Sequence, residues 1–521
     1  MRKILFAICL MIVASVAAQH LVILHTNDTH SNIDAENGVG GVYQRKAIID
    51  SVRKAEKNVI LVDAGDIVQG PLYFKLFGGE VEYPLMDMMG YDIQILGNHE
   101  FDNGLDSLAK FYPYTKSVKL SANYDFSGTK LDGVFRPYVI KEIDGKKVGF
   151  LGLNLDPAGI ISGDNYKGMK YSDIITVGNA TADYLREKEG CDIIVAVTHI
   201  GYDNGKDSPL TTDPELARNS RNIDIIIGGH SHTLVDPAKP EVYPHLVKNL
   251  DRKDVLVVQT GRYGAKLGKI DVNLSSPSES VYSLIDVAGV DSSRYDPSLV
   301  EFLRPYKNIV DSINARPIGI AASDMKNKKV YSESTGATNL ISDIAQWYGS
   351  LVLDSLNREG LDVRPYSDLA IMNSGGVRRS MSKGIVTEGQ IYAMFPFPNN
   401  FWIMHFSGEQ LENVIRQAVK QGGIGVSKEV MVSVNPESGE VEGISINGRP
   451  IDRNRDYYVT TIDYLGKGND YMSSFTEAEI VWQDNQEMCV PVMRYVVEHN
   501  AMGIPIGGSD KLRIVESNRV P

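Results

Sequence analysis

Five of the ten histidines in this chain of 521 residues stand in short polar clusters that follow apolar runs. These histidines are His30, His99, His199, His230 and His232. The same clusters contain Asp28, Asp66 and Asn98, whose side chains end in carboxylate or amide oxygens. Imidazole nitrogens and these oxygens are ligands for Zn²⁺, Mn²⁺ and similar divalent ions. The pattern therefore predicts a metal centre with nitrogen and oxygen ligands and no thiolate.

A single cluster of this kind has an ordinary structural explanation. An isolated Asp after a strand is commonly a helix N-cap, and an isolated His is commonly a hydrogen-bonded structural residue. Five such clusters in succession favour the metal centre over that explanation. A dinuclear site also needs a carboxylate that bridges two ions, and Asp66 is placed centrally for that role.

The apolar runs before the clusters are short and rich in β-branched residues. They cover residues 21–24, 59–62, 93–96, 148–151, 193–197, 223–227 and 255–258. Such runs are typical of strands buried on both faces, and helical stretches such as residues 43–57 alternate with them. This alternation predicts a layered α/β sheet, in which ligands gather beyond the carboxyl ends of the strands.

The character of the chain changes near residue 292. Residues 297–315 have the pattern of a helical connector that leads to Pro317. The rest mixes helices, at 338–356 and 408–422, with short strands and turns. We therefore predict a signal peptide at 1–18, a metal-binding α/β domain at 19–290, a helical connector or hinge at 291–316 and a second α+β domain at 317–521.

The N-terminus has the features of a signal peptide. Arg2 and Lys3 precede an apolar stretch at residues 4–16, and the small residues Ala17 and Ala18 follow it. This predicts an exported protein, periplasmic or extracellular, with a retained N-terminal anchor as the alternative. No later run reaches the ~20 apolar residues that a spanning helix needs, so we expect no stable membrane insertion after cleavage.

Charge and cysteine content limit the binding partners and the covalent links that we expect. The formal net charge is −13, whereas proteins that track a nucleic-acid backbone need basic surface, so a polymeric nucleic acid is not expected. Cys191 and Cys489 are the cysteines left after removal of the signal peptide, and we predict two free thiols. The oligomeric state stays open.

The ordered set of clusters, Asp28-Thr29-His30, Gly65-Asp66, Gly97-Asn98-His99-Glu100, Thr198-His199 and Gly229-His230-Ser231-His232, resembles the calcineurin-like metallophosphoesterases over residues 21–274. The resemblance implies an αββα sandwich with two divalent ions, Zn, Mn or similar. By motif position it implies that Asp66 bridges them. It assigns Asp28, His30 and His232 to one ion and Asn98, His199 and His230 to the other.

Asp102 follows His99 by three residues in a pattern similar to that of the 5′-nucleotidases, where a His and an Asp form a catalytic dyad. An imidazole near the phosphate can assist the leaving oxygen, and a carboxylate fixes its tautomer. The alternative is that Asp102 caps a helix over residues 103–111.

The second half resembles the C-terminal domain of the 5′-nucleotidase and UDP-sugar hydrolase family. The resemblance rests on the segments 373–378, 395–397 and 464–470. It implies a nucleoside site with Phe397 and Tyr464 around the base and Asp470 at the ribose. The remaining substrate-binding candidates are Asn373, Gly375, Gly376 and Arg378, of which the arginine suits phosphate. The alternative is that the aromatic residues belong to the core and the glycines to turns.

Two cationic positions of the family pattern differ in this chain. Asn32 stands where animal 5′-nucleotidases have an arginine, and Ser332 stands before the segment 333–339, where a further arginine is expected. The loss of positive charge favours a nucleotide with fewer phosphates or another phosphoester.

The resemblance thus implies an exported dinuclear-metal 5′-nucleotidase whose domains move about a hinge near residues 314–319. The alternatives within the family are a 2′,3′-cyclic-nucleotide phosphodiesterase with 3′-nucleotidase activity and a UDP-sugar hydrolase. Asp102 favours the 5′ activity, because the cyclic phosphodiesterases tend to lack this carboxylate. A nucleotide-binding protein without activity is the alternative from another class.

Overall fold

The computed structural model describes residues 20–70, 72–205, 208–327 and 335–517, so that the predicted signal peptide and Ser332 lie outside the described residues. In the first half the strands are β1 (His20–Thr26), β2 (Val59–Asp63), β3 (Ile93–Ile95), β4 (Val118–Leu120), β5 (Tyr124–Asp125), β6 (Tyr138–Ile143), β7 (Lys146–Asn154), β8 (Lys170–Tyr171), β9 (Ile193–His199), β10 (Ile225–Ile227), β11 (Leu246–Lys248), β12 (Asp254–Val258), β13 (Lys266–Asn273) and β14 (Val281–Asp286). The helices of this half are α1 (Val42–Ala55), α2 (Leu72–Phe77), α3 (Glu82–Met89), α4 (Gly104–Phe111), α5 (Ile174–Glu187) and α6 (Asp213–Arg218).

Two six-stranded sheets form the centre of the first half. One has the order β14-β13-β1-β2-β3-β4 and the other has the order β11-β12-β10-β9-β7-β6. Strands β1 to β4 run parallel to one another, as do β12, β10, β9 and β7, while the remaining strands of both sheets pair in antiparallel fashion. Apolar side chains from both sheets, such as Ile23 and Val195, are fully buried in one shared layer.

Helices cover the outer faces of these sheets. Val22 and Leu24 of β1 point away from the shared layer and pack in a cluster with residues of α1, α3 and α4. On the other side, Leu151 and Ile194 pack in a cluster with residues of α5 and α6. The order helix, sheet, sheet, helix confirms the predicted αββα sandwich.

An 18-residue helix, α7 (Pro297–Asn314), connects this half to the next. It begins where the side chain of Asp296 accepts hydrogen bonds from the backbone N–H groups of the first turn, as an N-cap does. The following strands are β15 (Pro317–Ala321), β16 (Leu369–Asn373), β17 (Gly384–Thr387), β18 (Asn400–Ser407), β19 (Ile424–Val426), β20 (Val430–Val434), β21 (Val441–Ile446), β22 (Arg449–Pro450), β23 (Asp456–Ile462), β24 (Glu479–Glu487) and β25 (Ile514–Glu516). The helices are α8 (Gly336–Arg358), α9 (Glu388–Met394), α10 (Gly408–Gln421), α11 (Asp463–Gly466) and α12 (Cys489–Ala501).

The second half is built on a five-stranded sheet of order β19-β16-β23-β18-β24 and a four-stranded sheet of order β22-β21-β20-β25. The long helix α8 starts at a capping box formed by Thr335 and Thr338 and packs on the five-stranded sheet. Buried residues of both sheets and of α8, α9, α10 and α12 form one apolar cluster. The predicted second α+β domain is confirmed as a fold class.

Cys191 and Cys489 are both buried free thiols, as predicted. A search of the described part of the chain finds no helix that is long and apolar enough to cross a membrane.

Candidate metal and substrate site

The predicted metal ligands stand at the carboxyl ends of five parallel strands. Asp28 and His30 follow β1, Asp66 follows β2, Asn98 follows β3, His199 ends β9, and His230 and His232 follow β10. Because β1 to β3 belong to one sheet and β9 and β10 to the other, the ligands come from both sheets. The sandwich thus brings together residues that lie up to 204 positions apart in the chain.

Three overlapping groups of side chains bring potential ligand atoms together. One atom from each member lies within 4.8 Å of the others in the groups Asp28, His30 and His232, Asp28, Asp66 and His199, and His30, Asp66 and His99. In addition, Nδ1 of His230 lies 2.8 Å from Oδ1 of Asn98. The carboxylate of Asp66 reaches both sides, because its Oδ2 lies 3.1 Å from Nε2 of His199 and 3.8 Å from Nε2 of His30.

The donor atoms suit divalent metal ions. The Nδ1 atom of His199 contacts the carbonyl of Ala64 at 2.7 Å and so carries the proton, which leaves the lone pair of Nε2 facing the Asp66 carboxylate. Two acceptors face each other stably only with a cation between them. Without a metal ion a proton on Nε2 takes the place of that cation: burial lowers the pKa of His199, but Asp66 outweighs burial and raises that pKa to about 10.

Other ligand histidines are neutral, as metal coordination requires. Burial, together with the neighbouring His199, lowers the pKa of His230 to about 3. Burial also holds the pKa of His30 well below its ordinary value. The Nε2 atoms of His30 and His232 approach to 2.9 Å, so that their ring edges converge on one point.

The backbone at these ligands is strained. Residues other than glycine rarely adopt positive φ, and such strain gathers at functional sites. Positive φ angles occur at Asp28 (51°), His30 (46°), Asp66 (57°), His230 (83°) and His232 (56°). The tight turns they make aim successive side chains into the same space, which supports a shared role for these five residues.

Asn27 and Glu100 position the ligands, although the motif analysis did not assign them a role. The amide nitrogen of Asn27 donates to Asp28 Oδ2 at 2.6 Å, and its oxygen accepts from Thr260. The Glu100 carboxylate accepts the backbone N–H groups of Asp66, Ile67 and Gly97. Glu100 therefore ties the loop that carries Asp66 to the loop that carries Asn98.

A second buried network supports the histidines on the other sheet. Asp213 accepts hydrogen bonds from Thr198 at 2.6 Å and from Gln259 at 2.9 Å. Gln259 also donates to the carbonyl of Gly229, directly before His230. Burial raises the pKa of Asp213 to about 7. The spacing of these residues in sequence gave no sign of the network, since its members are 15 to 46 positions apart.

His99 and Asp102 form the pair that the sequence predicts. Nδ1 of His99 lies 3.0 Å from Oδ2 of Asp102, and α4 has Asn103 at its N-cap with no side-chain cap hydrogen bond. The carboxylate of Asp102 is thus directed at the imidazole and does not cap the helix. Burial lowers the pKa of His99, but Asp102 and Asp66 outweigh it and hold that pKa above its ordinary value.

The substrate-binding candidates of the second half fall into two adjoining groups. Asp470 accepts a hydrogen bond from Asn373 at 3.0 Å and one from the hydroxyl of Tyr464 at 3.2 Å. The guanidinium of Arg378 lies 5.7 Å from the ring centroid of Phe397. Gly375 and Gly376 lie in the short 3-10 helix Ser374–Gly376, which joins the two groups.

These groups meet the metal-binding half. The ring of Phe397 lies 5.7 Å from that of His99, and the ring of His99 lies 5.2 Å from that of His30. The hydroxyl oxygen of Tyr464 also lies 3.1 Å from the carbonyl oxygen of Ile160, and the backbone N–H of Asp470 donates to the carbonyl of Gly159. Predicted metal, dyad and substrate residues therefore line one continuous site between the two halves.

Comparison with known families agrees with this architecture. Residues 21–234 match the model of the calcineurin-like phosphoesterases, and residues 313–477 match the model of the 5′-nucleotidase C-terminal domain. The chain belongs to the 5′-nucleotidase family. It is a calcineurin-like phosphoesterase in fold and carries the C-terminal domain that distinguishes this family.

Curated relatives include enzymes from bacteria and mammals. The chain is 30% identical to the trifunctional nucleotide phosphoesterase protein YfkN of Bacillus subtilis over 88% of its length, but it spans only 32% of that protein. It is 28% identical to the 5′-nucleotidase of Bos taurus, with 77% of this chain and 72% of the relative covered. It is also 28% identical to the protein UshA of Yersinia enterocolitica, with 86% of both chains covered.

Solved structures share the fold over nearly the whole chain. The 5′-nucleotidase precursor of Thermus thermophilus superposes with a TM-score of 0.81 at 27% identity and covers 96% of this chain and 99% of its own. The sulfate thiohydrolase SoxB of the same genus has a TM-score of 0.72 at 14% identity, with 96% of this chain and 97% of its own covered, and shows the fold alone.

Proposed function

We propose that this protein is an exported 5′-nucleotidase, which hydrolyses the phosphate ester of nucleotides to a nucleoside and phosphate with the help of two divalent ions. One observation carries the proposal: the ring of His99 lies between the predicted metal ligands and the nucleoside group, by which we mean the substrate-binding candidates of the second half. The centroid of this ring is 5.2 Å from that of His30 on one side and 5.7 Å from that of Phe397 on the other. A phosphate held next to the metal ligands therefore has a base-binding residue within reach on its other side.

Asp28, His30 and His232 would hold one ion, Asn98, His199 and His230 the other, and Asp66 would contact both. When bound, such a pair of ions supplies Lewis acidity toward the phosphate and a water nucleophile at neutral pH. Zn²⁺ and Mn²⁺ suit this set of imidazole, carboxylate and amide donors. The number and identity of the ions are part of the proposal.

The His99–Asp102 pair acts on the leaving group. Asp102 holds the Nδ1 proton of His99, so that the Nε2 proton is free to pass to the ester oxygen as the P–O bond breaks. Asp102 and Asp66 hold the pKa of His99 above its ordinary value, which favours the protonated ring. The same charge stabilises the negative charge that develops on the phosphate.

The second half orients the nucleoside. Arg378 supplies a guanidinium that pairs with phosphate oxygens, and Phe397 offers an aromatic face to the base. Tyr464 faces the base from the other side, and Asp470 accepts the ribose hydroxyls. Asn373 and the turn at Gly375 and Gly376 hold Asp470 and let the backbone approach the ligand closely.

The arrangement supports a 5′-nucleotidase over the alternatives. The intact hydrogen bond between His99 and Asp102 favours it over a 2′,3′-cyclic phosphodiesterase with 3′-nucleotidase activity. A protein that only binds nucleotides has no need of strained ligand loops or of a dyad. A UDP-sugar hydrolase is the alternative that uses the same chemistry on a different class of substrate.

We further propose the domain limits given by the sequence: 19–290 for the metal-binding domain, 291–316 for the connector and 317–521 for the nucleoside-binding domain. A signal peptide at 1–18 would direct the protein to the periplasm or the exterior. The hinge would lie near residues 314–319.

Phosphate release from AMP, ADP, ATP, UDP-glucose, 3′-AMP and 2′,3′-cyclic AMP tests the proposal. Each substrate is assayed with Mn²⁺, Zn²⁺, Mg²⁺ or a chelator, for the wild type, for His99→Ala and for His405→Ala, a control on the second half that lies outside the site. We expect metal-dependent release from 5′ nucleotides that only His99→Ala abolishes. Preference for 3′ or cyclic substrates, or absence of turnover, would refute the proposal.

A further inference from the structure

Two arginines from different halves of the chain bracket one tyrosine at the edge of the metal site. The guanidinium carbon of Arg262 lies 4.6 Å from the ring centroid of Tyr263, and that of Arg379 lies 4.3 Å from it. The backbone N–H of Tyr263 donates to the carbonyl of Asp28 at 2.7 Å. The ring of Tyr263 lies 6.0 Å from that of His30, so Tyr263 and its two arginines lie directly beside the predicted metal ligands.

Arg262 has no carboxylate partner among the described residues. Its polar contact there is with Nδ1 of His232, at 3.3 Å from Nη1. The net charge of the chain is −13, so acidic groups are plentiful elsewhere, yet this exposed cation stands beside a predicted metal ligand without one. An arginine in such a place is suited to an external anion.

Arg379 places a second positive charge, in addition to that of Arg262, next to Asn32. Its Nη2 donates to Oδ1 of Asn32 at 2.6 Å, and its Nη1 donates to Glu36 at 2.5 Å. The amide nitrogen of Asn32 donates to the carbonyls of Thr29 and His30, which turns its oxygen toward the arginine. Position 32 therefore has no charge of its own but lies against a guanidinium from the second half.

Packing alone does not account for this pair of cations. A cation–π contact contributes about 0.5–1 kcal/mol at an exposed site, and two guanidinium groups around one ring also repel each other. An anion placed between them removes the repulsion and gains charge-assisted hydrogen bonds from both. The exposed carboxylate of Glu36 pairs with Arg379, and no ion pair joins it to Arg262 among the described residues.

We propose that Arg262, Tyr263 and Arg379 form a second anion subsite next to the predicted phosphate site, and that it takes the additional phosphate of a nucleoside diphosphate. The proposal rests on the proposed function and names its substrate class. The reacting phosphate faces the metal ligands and Arg378, and the neighbouring phosphate lies against the two bracketing arginines. The neutral Asn32, considered alone, favours a nucleotide with fewer phosphates. The positive charges of Arg262 and Arg379 allow the site to bind a substrate with two phosphates.

The first test compares AMP with ADP. The ratio of kcat/KM for ADP to that for AMP is measured for the wild type, Arg262→Ala and Arg379→Ala, with Arg358→Ala as a control at an exposed arginine of α8. Loss of one charge-assisted contact predicts a fall in this ratio of about ten-fold for each site variant and no change for the control. Methylenediphosphonate and methylphosphonate are not hydrolysed, so calorimetry gives their affinities directly. The affinity for methylenediphosphonate should fall in the same proportion in the site variants, and the affinity for methylphosphonate should not change.

The outcomes separate the two proposals. A wild type that releases phosphate from neither nucleotide would overturn both. Turnover of AMP with an unchanged ratio in the variants, or an equal loss for AMP and ADP, would overturn the subsite alone, because the arginines would then only brace the two halves.

Glu36→Gln gives a test in the opposite direction and keeps the fold intact, because Glu36 is 62% exposed. Removal of this competing carboxylate frees Arg379, so we expect the ratio for ADP over AMP to rise. An unchanged or lower ratio would contradict the subsite.

Discussion

Glu100 shows how one buried carboxylate organises the metal-binding loops. It accepts three backbone N–H groups from two loops and is almost fully buried. In Glu100→Gln an amide nitrogen replaces one acceptor and meets an N–H group instead. We expect a loss of about 1–3 kcal/mol in the free energy of unfolding and a 10–100-fold loss of Mn²⁺ affinity, by the usual effect of groups that support metal ligands.

Urea denaturation in chelator and calorimetric titration with Mn²⁺ measure these two quantities. Glu187→Gln, at the exposed end of α5, is the matched control and should change neither. If Glu100→Gln binds Mn²⁺ as tightly as the wild type, Glu100 does not position the ligands.

Asp102→Asn tests the dyad through pH as well as through rate. The amide no longer holds the imidazolium, so kcat should fall by about 10²–10⁴-fold while metal content is retained. Asp102 helps to hold the pKa of His99 above its ordinary value, so its removal lowers that pKa. If protonated His99 is the active form, the alkaline limb of the kcat profile must move to lower pH.

Phosphate-release rates between pH 5 and pH 9 show this shift. A rate loss with an unmoved alkaline limb would mean that Asp102 acts on the position of the ring and not on its proton.

The predicted metal ligands come from sequence motifs, whereas the residues that support them form no motif. The motif clusters contain the seven predicted metal ligands, which the structure places next to one another. Asn27 and Gln259 were missed because their partners lie 233 and 46 positions away and form no local pattern. The contact between Arg379 and Asn32 spans 347 positions and likewise forms no local pattern.

At the scale of elements, long buried segments were predictable, and the antiparallel strands at the sides of the two sheets were not. The seven apolar runs all lie within or overlap central strands, and the predicted helices at 43–57, 297–315 and 408–422 correspond to α1, α7 and α10. Strands β6, β13 and β14 were not predicted. Their burial alternates or is partial, so their sequences lack the continuous apolar run that marks a strand buried on both faces.

Helix α10 carries a pH-dependent contribution to stability. Its Glu412 side chain is 9% exposed and accepts hydrogen bonds from Arg416 and Arg453. Arg453 and then Arg416 lower the pKa of Glu412 to about 2. Because this pKa is depressed from an ordinary value of 4.5, the stabilisation is complete above about pH 4.5 and is lost as pH falls toward 2.

Comparison of the wild type with Glu412→Gln measures this effect. Solvent screens both arginines, so we expect the variant to be less stable by about 1 kcal/mol at pH 7 and the difference to shrink at pH 3. The control is Glu437→Gln in an exposed turn. A difference that is the same at both pH values would show that packing, not charge, is responsible.

At the scale of the whole molecule, contacts between the halves surround the site. Lys75 of α2 pairs with Glu487 of β24, Arg379 pairs with Glu36, and Asp470 bonds to the backbone of Gly159. Sequence resemblance implies that the halves move, but composition and spacing say nothing about which surfaces meet. The approach at Gly159 is the closest to the nucleoside group and so offers the most direct way to test the need for closure.

Gly159→Ala should hold the halves apart. Gly159 has a φ of +81°, and a Cβ at this position would lie 2.7 Å from the ring of Tyr471, next to Asp470. This ring belongs to the second half, so the loop that carries residue 159 must withdraw from it. We expect kcat/KM for AMP to fall by about ten-fold or more, because misplacement of about 1 Å has effects of this size, with metal affinity unchanged.

Small-angle scattering should show a larger radius of gyration for Gly159→Ala in the presence of the product adenosine. Gly163→Ala is the matched control, because that glycine has open space around it and lies only four residues further along the same segment. Replacement of Tyr471 by alanine in the Gly159→Ala background removes the clash and should restore part of the activity. If it restores none, the loss comes from strain in the backbone at position 159, and contact between the halves is not what the reaction requires.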